Sequence, residues 1–224
     1  MRVLLINPNT SVHITERLAA SARVALSEGE QLSAVTARNG PAAVREPAQL
    51  AAAENNALEL AAAHAAGHDA IALGISLDGA APRLRERYPA LAVVGMTEAA
   101  LLTACLHSER IGLLTVGAAM LPLYRQRVEQ IGVAGRVVGW QAPELDAAFS
   151  VPGTAAETGV LDGLTTACFS LRDAGAGSIV LAGAVLCGHA SALAARSGLP
   201  VFDGVACAIG QLRLQLAQRR MLRR

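Results

Sequence analysis

An internal repeat constrains this chain more than any other feature: three short apolar runs recur at a single offset of 108 residues. Residues 110–115 (RIGLLT) match residues 2–7 (RVLLIN), residues 178–181 (SIVL) match 70–73 (AIAL), and residues 199–202 (LPVF) match 91–94 (LAVV). Runs this short suit strands buried on both faces of a parallel sheet. After the first run comes Asn7-Pro8-Asn9-Thr10-Ser11, a turn rich in side chains that bond to backbone, and then Ile14, Leu18 and Ala22 at helical spacing. Strand, polar turn and helix, repeated, predict an α/β fold of two pseudo-symmetric Rossmann-like lobes. Each lobe would hold a roughly four-stranded parallel sheet flanked by helices. Residues 1–97 with 205–224 form the expected first lobe and 98–204 the second. The active site is expected in the cleft between them, where helix N-termini point their N–H groups at anions.

Composition narrows the function. With 53% hydrophobic residues the core needs neither disulfide nor metal to hold it. A formal charge of +1 argues against a nucleic-acid surface, and the arginines near the end (Arg213, Arg219, Arg220, Arg223, Arg224) suit the solvated face of a last helix. All nineteen basic residues are arginine, so there is neither a pyridoxal-phosphate Schiff-base lysine nor a P-loop lysine. Residues 174–195 carry no formal charge but are mostly small, and they read as strand, loop and helix start rather than a membrane span. No signal peptide is visible, and a cytoplasmic chain with reduced cysteines is expected. Cys105, Cys168 and Cys207 fall in helical patterns as small core residues, whereas Cys187 falls in a turn. His64 and His68 lack a third ligand, so no metal site is expected.

The candidate site residues sit where strands end. Strands are expected at 31–36, 69–75, 111–115, 136–140 and 201–202, and helices at 48–66, 155–174 and the C-terminus, the last packing back on the first half. Gly74-Ile75-Ser76-Leu77-Asp78-Gly79 should face the Asn7 turn. Thr97 is a candidate helix cap or ligand contact. Thr115, followed by Val116-Gly117-Ala118, opens the second-lobe turn, and the hydroxyl of Tyr124 is suited to reach a bound anion or to lie half-buried. Residues 182–189 (AGAVLCGH) form the second turn, with Gly183, Cys187, Gly188 and His189. Residues 39–47 (NGPAAVREP) suit a flap over a cleft, and 143–153 a second loop.

Residues 6–11 (INPNTS), the repeat, residues 94–100 (VGMTEAA) and Pro122-Leu123-Tyr124 together resemble the aspartate/glutamate/hydantoin racemase superfamily, the hydantoin racemase branch in particular. The resemblance implies cofactor-free chemistry at an acidic carbon next to a carbonyl. One cysteine at the end of each half's third strand would remove the proton and its mate would return one. A thiol with a pKa of about 8.5, lowered near a helix N-terminus, suits this, and turn amides would stabilise the enolate.

The chain departs from that pattern. Its first turn has no cysteine, and Cys187 lies four residues beyond Gly183, the aligned position, whose partner at the offset is Ile75. Cys187 is the favoured acid/base, opposed by Ser76, by Asp78 or by nothing. Asn7, Asn9, Thr10, Gly74, Thr97, Thr115, Tyr124, Gly183, Gly188 and His189 are the expected substrate contacts. A homo-oligomeric racemase of a small carbonyl or carboxylate compound is the first expectation, with no cofactor, metal, nucleic acid or membrane. Gly74-Ile75-Ser76 and Cys187-Gly188 are also similar to a sister branch, the arylmalonate decarboxylases, which use the second cysteine alone as proton donor. A decarboxylase and an inactive small-molecule-binding homologue remain as alternatives.

Overall fold

Four consecutive apolar side chains can all be buried only where both faces of a sheet are covered, and Val3, Leu4, Leu5 and Ile6 are fully buried. They belong to β1 (Arg2–Asn7), which lies in a parallel sheet with β2 (Gln31–Thr36), β3 (Ala70–Leu73) and β4 (Ala92–Gly95) in the order β2-β1-β3-β4. A second parallel sheet repeats that order as β6-β5-β7-β8, from β5 (Ile111–Leu114), β6 (Val137–Gln141), β7 (Ser178–Leu181) and β8 (Val201–Asp203). The computed structural model describes residues 1–146 and 156–222. Most of the loop expected over 143–153 therefore lies outside the described residues.

The 108-residue offset holds in three dimensions. Short 3-10 turns at Ser76–Asp78 and Ala184–Leu186 follow β3 and β7, and Leu73 and Leu181 pair with Gly95 and Asp203 on the neighbouring strands. Helices α4 (Met96–His107) and α8 (Gly204–Leu222) begin at equivalent positions and pack against each other. At their meeting point a Cβ on Gly204 would stand 2.7 Å from the carbonyl oxygen of Met96, its own counterpart in the repeat. Gln211 Nε2 donates to Ala99 O at 2.9 Å and to Thr103 Oγ1 at 3.2 Å, and Thr103 is again the counterpart of Gln211. Contact between equivalent residues marks a pseudo-twofold axis. Across it each sheet lends its last helix to the other: α4 packs on β7 and β8, α8 on β3, β4 and α1 (Val12–Ala25).

The remaining helices cover the outer faces. α2 (Leu50–His64) buries Ala53, Ala57 and Ala61 at a spacing of four, small side chains that let it approach the sheet closely. It starts two residues later than expected, because Pro47–Gln49 forms a 3-10 turn closed by reciprocal bonds between Glu46 and Gln49. α3 (Ala81–Arg87), α5 (Leu121–Ile131), α6 (Ala156–Asp173) and α7 (Ala190–Ser197) complete the layers. Cys105, Cys168 and Cys207 lie in α4, α6 and α8. Among the described residues no helix is long and apolar enough to cross a membrane.

Equivalent helices are capped by non-equivalent carboxylates. Asp78, in the turn after β3, accepts Thr97 N at 3.0 Å and Glu98 N at 2.7 Å and so closes the start of α4. Asp203, at the end of β8, accepts Val205 N at 3.0 Å and Ala206 N at 3.3 Å at the start of α8. These amides correspond pairwise under the offset, yet the aspartates do not: Gly95 stands where Asp203 would be. A Cβ on Gly95 would run into the Asp78 carboxylate. Gly95→Ala is therefore expected to lower the unfolding free energy by about 1–3 kcal/mol in urea denaturation. Gly210→Ala, in open space within α8, should be neutral or stabilising by up to about 1 kcal/mol. Equal effects at the two glycines would refute the packing argument.

Candidate functional site

The polar turn after β1 is built from side-chain amides. Asn7, fully buried, shares its Nδ2 hydrogens among Asn9 Oδ1 (2.9 Å), Thr15 Oγ1 (2.8 Å) and Ser11 O (3.2 Å), while its Oδ1 accepts Asn9 N at 3.2 Å. Expected as a substrate contact, Asn7 instead braces the turn with both ends of its amide. Thr10 N donates to Pro41 O at 3.0 Å and Ser11 Oγ to Ala42 O at 2.6 Å. These bonds hold residues 41–44 over the strand ends, where the sequence suggested a flap.

Under that flap the strand-end turns of both lobes meet around a cavity of about 30 Å³. Pro8, Asn9 and Ile14 line one side, Ala43 and Val44 the roof, Gly74, Ile75 and Ser76 the first-lobe turn, and Ala184 and Val185 the second-lobe turn. The space suffices for a water or two. Asn9, Gly74 and Ser76 are therefore brought together as expected. Ile14, Val44 and Val185 were not anticipated, because apolar side chains carry no chemical signal in sequence.

Behind the cavity lies a knot of hydroxyls. Tyr124 is buried and donates to Ala182 O at 3.0 Å, with the hydroxyls of Ser76 and Thr115 also in hydrogen-bond contact with it. Burial pushes the Tyr124 hydroxyl up to about 12. It stays protonated and ties α5 to the end of β7, rather than reaching a ligand. Thr97 is likewise committed, its hydroxyl accepting Leu77 N at 3.3 Å, and it is Asp78, not Thr97, that caps α4.

The expected acid/base residues are placed differently from one another. Ser76 lines the cavity; Asp78 and Cys187 do not. Asp78 is fully buried with both carboxylate oxygens turned to α4, and Arg127 stands 3.6 Å away, itself bonded to Glu98 at 2.9 Å. Burial, and then the charge of Glu98, raise Asp78 to about 6. Leu77 and Asp78 reach this arrangement through left-handed backbone angles, φ 71° and 56°, an uncommon conformation that aspartate tolerates better than leucine.

Cys187 is almost fully buried and borders a different hollow, of about 370 Å³, with His13, Arg17 and His189. Its thiol faces the Asp203 carboxylate, and burial followed by that charge push it well above its ordinary range. The depressed thiol expected near a helix N-terminus is thus reversed: burial and then the Asp203 charge outweigh the Val205 amide at the start of α8, which acts to lower it. Gly188 N donates to Asp203 Oδ2 at 2.6 Å, and His189 Nε2 lies 2.7 Å from Arg17 Nη1. Both belong to this second hollow rather than to the cavity. Gly183, at φ 152°, has only Leu186 and Thr115 atoms at 3.9 Å from the place of a Cβ.

The second lobe's counterpart of the Asn7 turn opens onto a hollow of about 540 Å³ shared by both lobes. There Glu144 Oε1 accepts Ala118 N at 3.0 Å, and Arg45 of the flap pairs with Asp146. Glu144 went unmarked in the sequence; the acidic residues of that loop were its only signal. Among the described residues no group of three or more His, Cys, Asp or Glu could hold a metal ion.

The Asp78 geometry fixes a pH dependence. A carboxyl raised from 3.8 to about 6 by folding holds its proton more tightly in the native state, so its contribution is intact below pH 4 and lost as pH rises through 6. Asp78→Asn removes this dependence and one of the two amide acceptors. The stability difference between wild type and Asp78→Asn, from urea denaturation, should favour wild type and shrink between pH 4 and 6.5. A difference that is flat or grows with pH would refute the assignment.

A family model for Asp/Glu/hydantoin racemase matches residues 3–212, spanning both sheets and every turn described above. A hydantoin racemase of Paenarthrobacter aurescens is 29% identical over 217 residues, covering 94% of this chain and 90% of the relative. Allantoin racemase from Klebsiella pneumoniae superposes with a TM-score of 0.84 at 27% identity, covering 97% of this chain and 88% of that one. Glutamate racemase from Francisella tularensis, in complex with D-glutamate, shares the fold at a TM-score of 0.65 and 13% identity, over 98% and 82% of the two chains. The matched segment takes in both strand-end turns, all of α4 and the first half of α8, and the chain belongs to the Asp/Glu/hydantoin racemase family.

Proposed function

We propose that this chain is a cofactor-independent isomerase of the hydantoin racemase type, moving a proton at a carbon next to a carbonyl in a small cyclic amide or related compound. One observation carries the reading: the family match runs through both strand-end turns, and those turns meet over one cavity. The relatives are named for racemization of hydantoin and allantoin. In this reading Asn9 and Ser76 contact the substrate, and backbone amides of the two turns carry the charge of the enolate. Ser76 is the proton-bearing side chain at the cavity, in hydrogen-bond contact with Tyr124. Cys187, held protonated beside Asp203, acts on the architecture of the second turn. A decarboxylase using Cys187 as sole donor is not carried further, because that thiol does not line the cavity.

The reading includes the division into lobes 1–97 with 205–224 and 98–204, supported by the packing of α8 on β3 and β4. It also includes a cytoplasmic location and a homo-oligomer, the latter alone supported by the exposed apolar side chains of Leu106 and Met221. A second reading, a homologue that binds without turnover, is favoured by Ile75 and Gly183 standing where the family resemblance aligns thiols.

A serine hydroxyl is a weak base at neutral pH, so exchange should be slow. Incubation of 5-substituted hydantoins in D₂O, followed by NMR and polarimetry, should show deuterium at C5 together with loss of optical rotation. Ser76→Ala should reduce this by roughly 100-fold, Cys187→Ala by less than about tenfold, and Ile75→Cys should raise it. A thermal shift with no exchange would favour the binding homologue, and an unaffected Ser76→Ala would remove Ser76 from the reaction.

A further inference from the structure

Resting on the isomerase reading, we infer that Arg127 is a positioning residue: α5 grips the turn after β3 at both ends, Tyr124 at Ser76 and Arg127 at Asp78, and the hold on Ser76 is firmest when Asp78 carries its charge. α5 follows β5 of the second sheet and the turn follows β3 of the first, so the hold passes from one lobe to the other.

The geometry is specific. Tyr124 and Arg127 are three residues apart on α5 and so share a face of the helix. The Tyr124 hydroxyl is in hydrogen-bond contact with Ser76. Arg127 Nη2 stands 3.6 Å from Asp78 Oδ2 while donating to Glu98 Oε2 at 2.9 Å. The buried Nε of Arg127 has no hydrogen-bond partner among the described residues, so the two carboxylates hold the guanidinium. Nor is the arrangement a by-product of the repeat. At the 108-residue offset Ser76 and Asp78 become Ala184 and Leu186, and the residues of α1 equivalent to Tyr124 and Arg127 are Glu16 and Ala19. α1 does pack on that second turn. Both halves of the grip are thus present on one side and both are missing on the other, as expected if they act together.

Charge enters through Asp78. It is faced by Glu98 from α4, by Arg127 and Tyr124 from α5, and by Gly95, which has no side chain, from β4. Arg85 of α3 is bonded to the other oxygen of Glu98. A charged carboxylate accepts the Thr97 and Glu98 amides and attracts Arg127. Protonation turns one oxygen into a hydroxyl donor and ends the attraction for the guanidinium. Leu77 and Asp78, in left-handed backbone, then lose a restraint, and the adjoining Ser76 loses its fixed place at the cavity. Burial still penalises that charge, so Asp78 contributes most to stability when neutral and most to the order of the turn when ionised.

NMR titration of the ligand-free full chain between pH 5 and 7.5 tests the inference without requiring turnover. The Asp78 carboxyl carbon and the Ser76 β-carbon should titrate together, with one midpoint at about 6. Arg127→Gln should raise that shared midpoint and Glu98→Gln should lower it, each by roughly one pH unit, while Arg127→Lys stays nearer to wild type. The same opposite displacements should appear in the pH profile of deuterium exchange at C5 of 5-isopropylhydantoin, after subtraction of the uncatalysed rate. An arginine that only supported the fold would lower exchange at every pH without moving the midpoint. A Ser76 signal that ignores Asp78, or variants that move the midpoint in the same direction, would overturn the inference. If Arg127→Gln does not fold, Glu98→Gln decides alone, and an unmoved midpoint there rejects the grip. Shared titration without deuterium exchange would instead sink the isomerase reading and leave the grip intact.

Discussion

Two buried carboxylates, each closing the N-terminus of a helix that crosses to the other lobe, are the interactions on which this structure depends. An exposed helix start leaves its first N–H groups to water, but α4 and α8 begin in the interior, where an unpaired donor costs about 1–3 kcal/mol. Asp78 and Asp203 satisfy those donors with their carboxyl oxygens at the start of each helix. They also fix the loops that shape the cleft. Asp78 holds the turn after β3 in a left-handed conformation at Leu77 and Asp78, and Asp203 ties down Gly188 just beyond Cys187. Helix capping and cleft geometry are therefore one problem with one solution in each lobe.

The solutions differ, and the cleft inherits the difference. On the first-lobe side Asn7 and Asn9 knit a neutral turn and Ser76 brings a hydroxyl to the cavity. On the second-lobe side Glu144 reaches the equivalent turn, and the thiol of Cys187 is kept protonated by burial and by the carboxylate beside it. A fold of two matching sheets thus presents two unlike faces to whatever lies between them. The backbone near the axis is symmetric because Met96 against Gly204 and Thr103 against Gln211 leave little freedom there. The turns lie further from the axis and have diverged.

The architecture was legible because buried parallel strands leave a composition signal that survives in a single sequence. Runs such as Leu4-Leu5-Ile6 and Ile179-Val180-Leu181, with their common offset, pointed to strand positions and pseudo-symmetry together, while the strand order came only with the structure. The site was legible only in part. Ser76 and Asn9 reach the cavity, but Asn7, Thr97 and Tyr124 have the residue types of ligand contacts while spending their polar atoms on the scaffold. Sequence cannot distinguish these uses, because an amide or hydroxyl at a turn serves either. The setting of Cys187 was hidden for another reason: its thiol is held protonated by burial and then by Asp203, sixteen residues away in sequence and brought near by the pairing of β7 with β8.

Gly95 and Asp78 carry a consequence for how such a chain diverges from a symmetric ancestor. If both halves once capped their helices from the strand end, as the second still does, the first had to gain an aspartate in the turn and lose the side chain at the strand end. The order cannot be chosen freely. Gaining first crowds two like charges into one dry socket, and losing first leaves a buried helix start bare. Either intermediate is penalised, and so is the way back. The exchange behaves as a ratchet: once passed, it locks the halves into separate identities and lets their facing loops specialise without being drawn toward each other again.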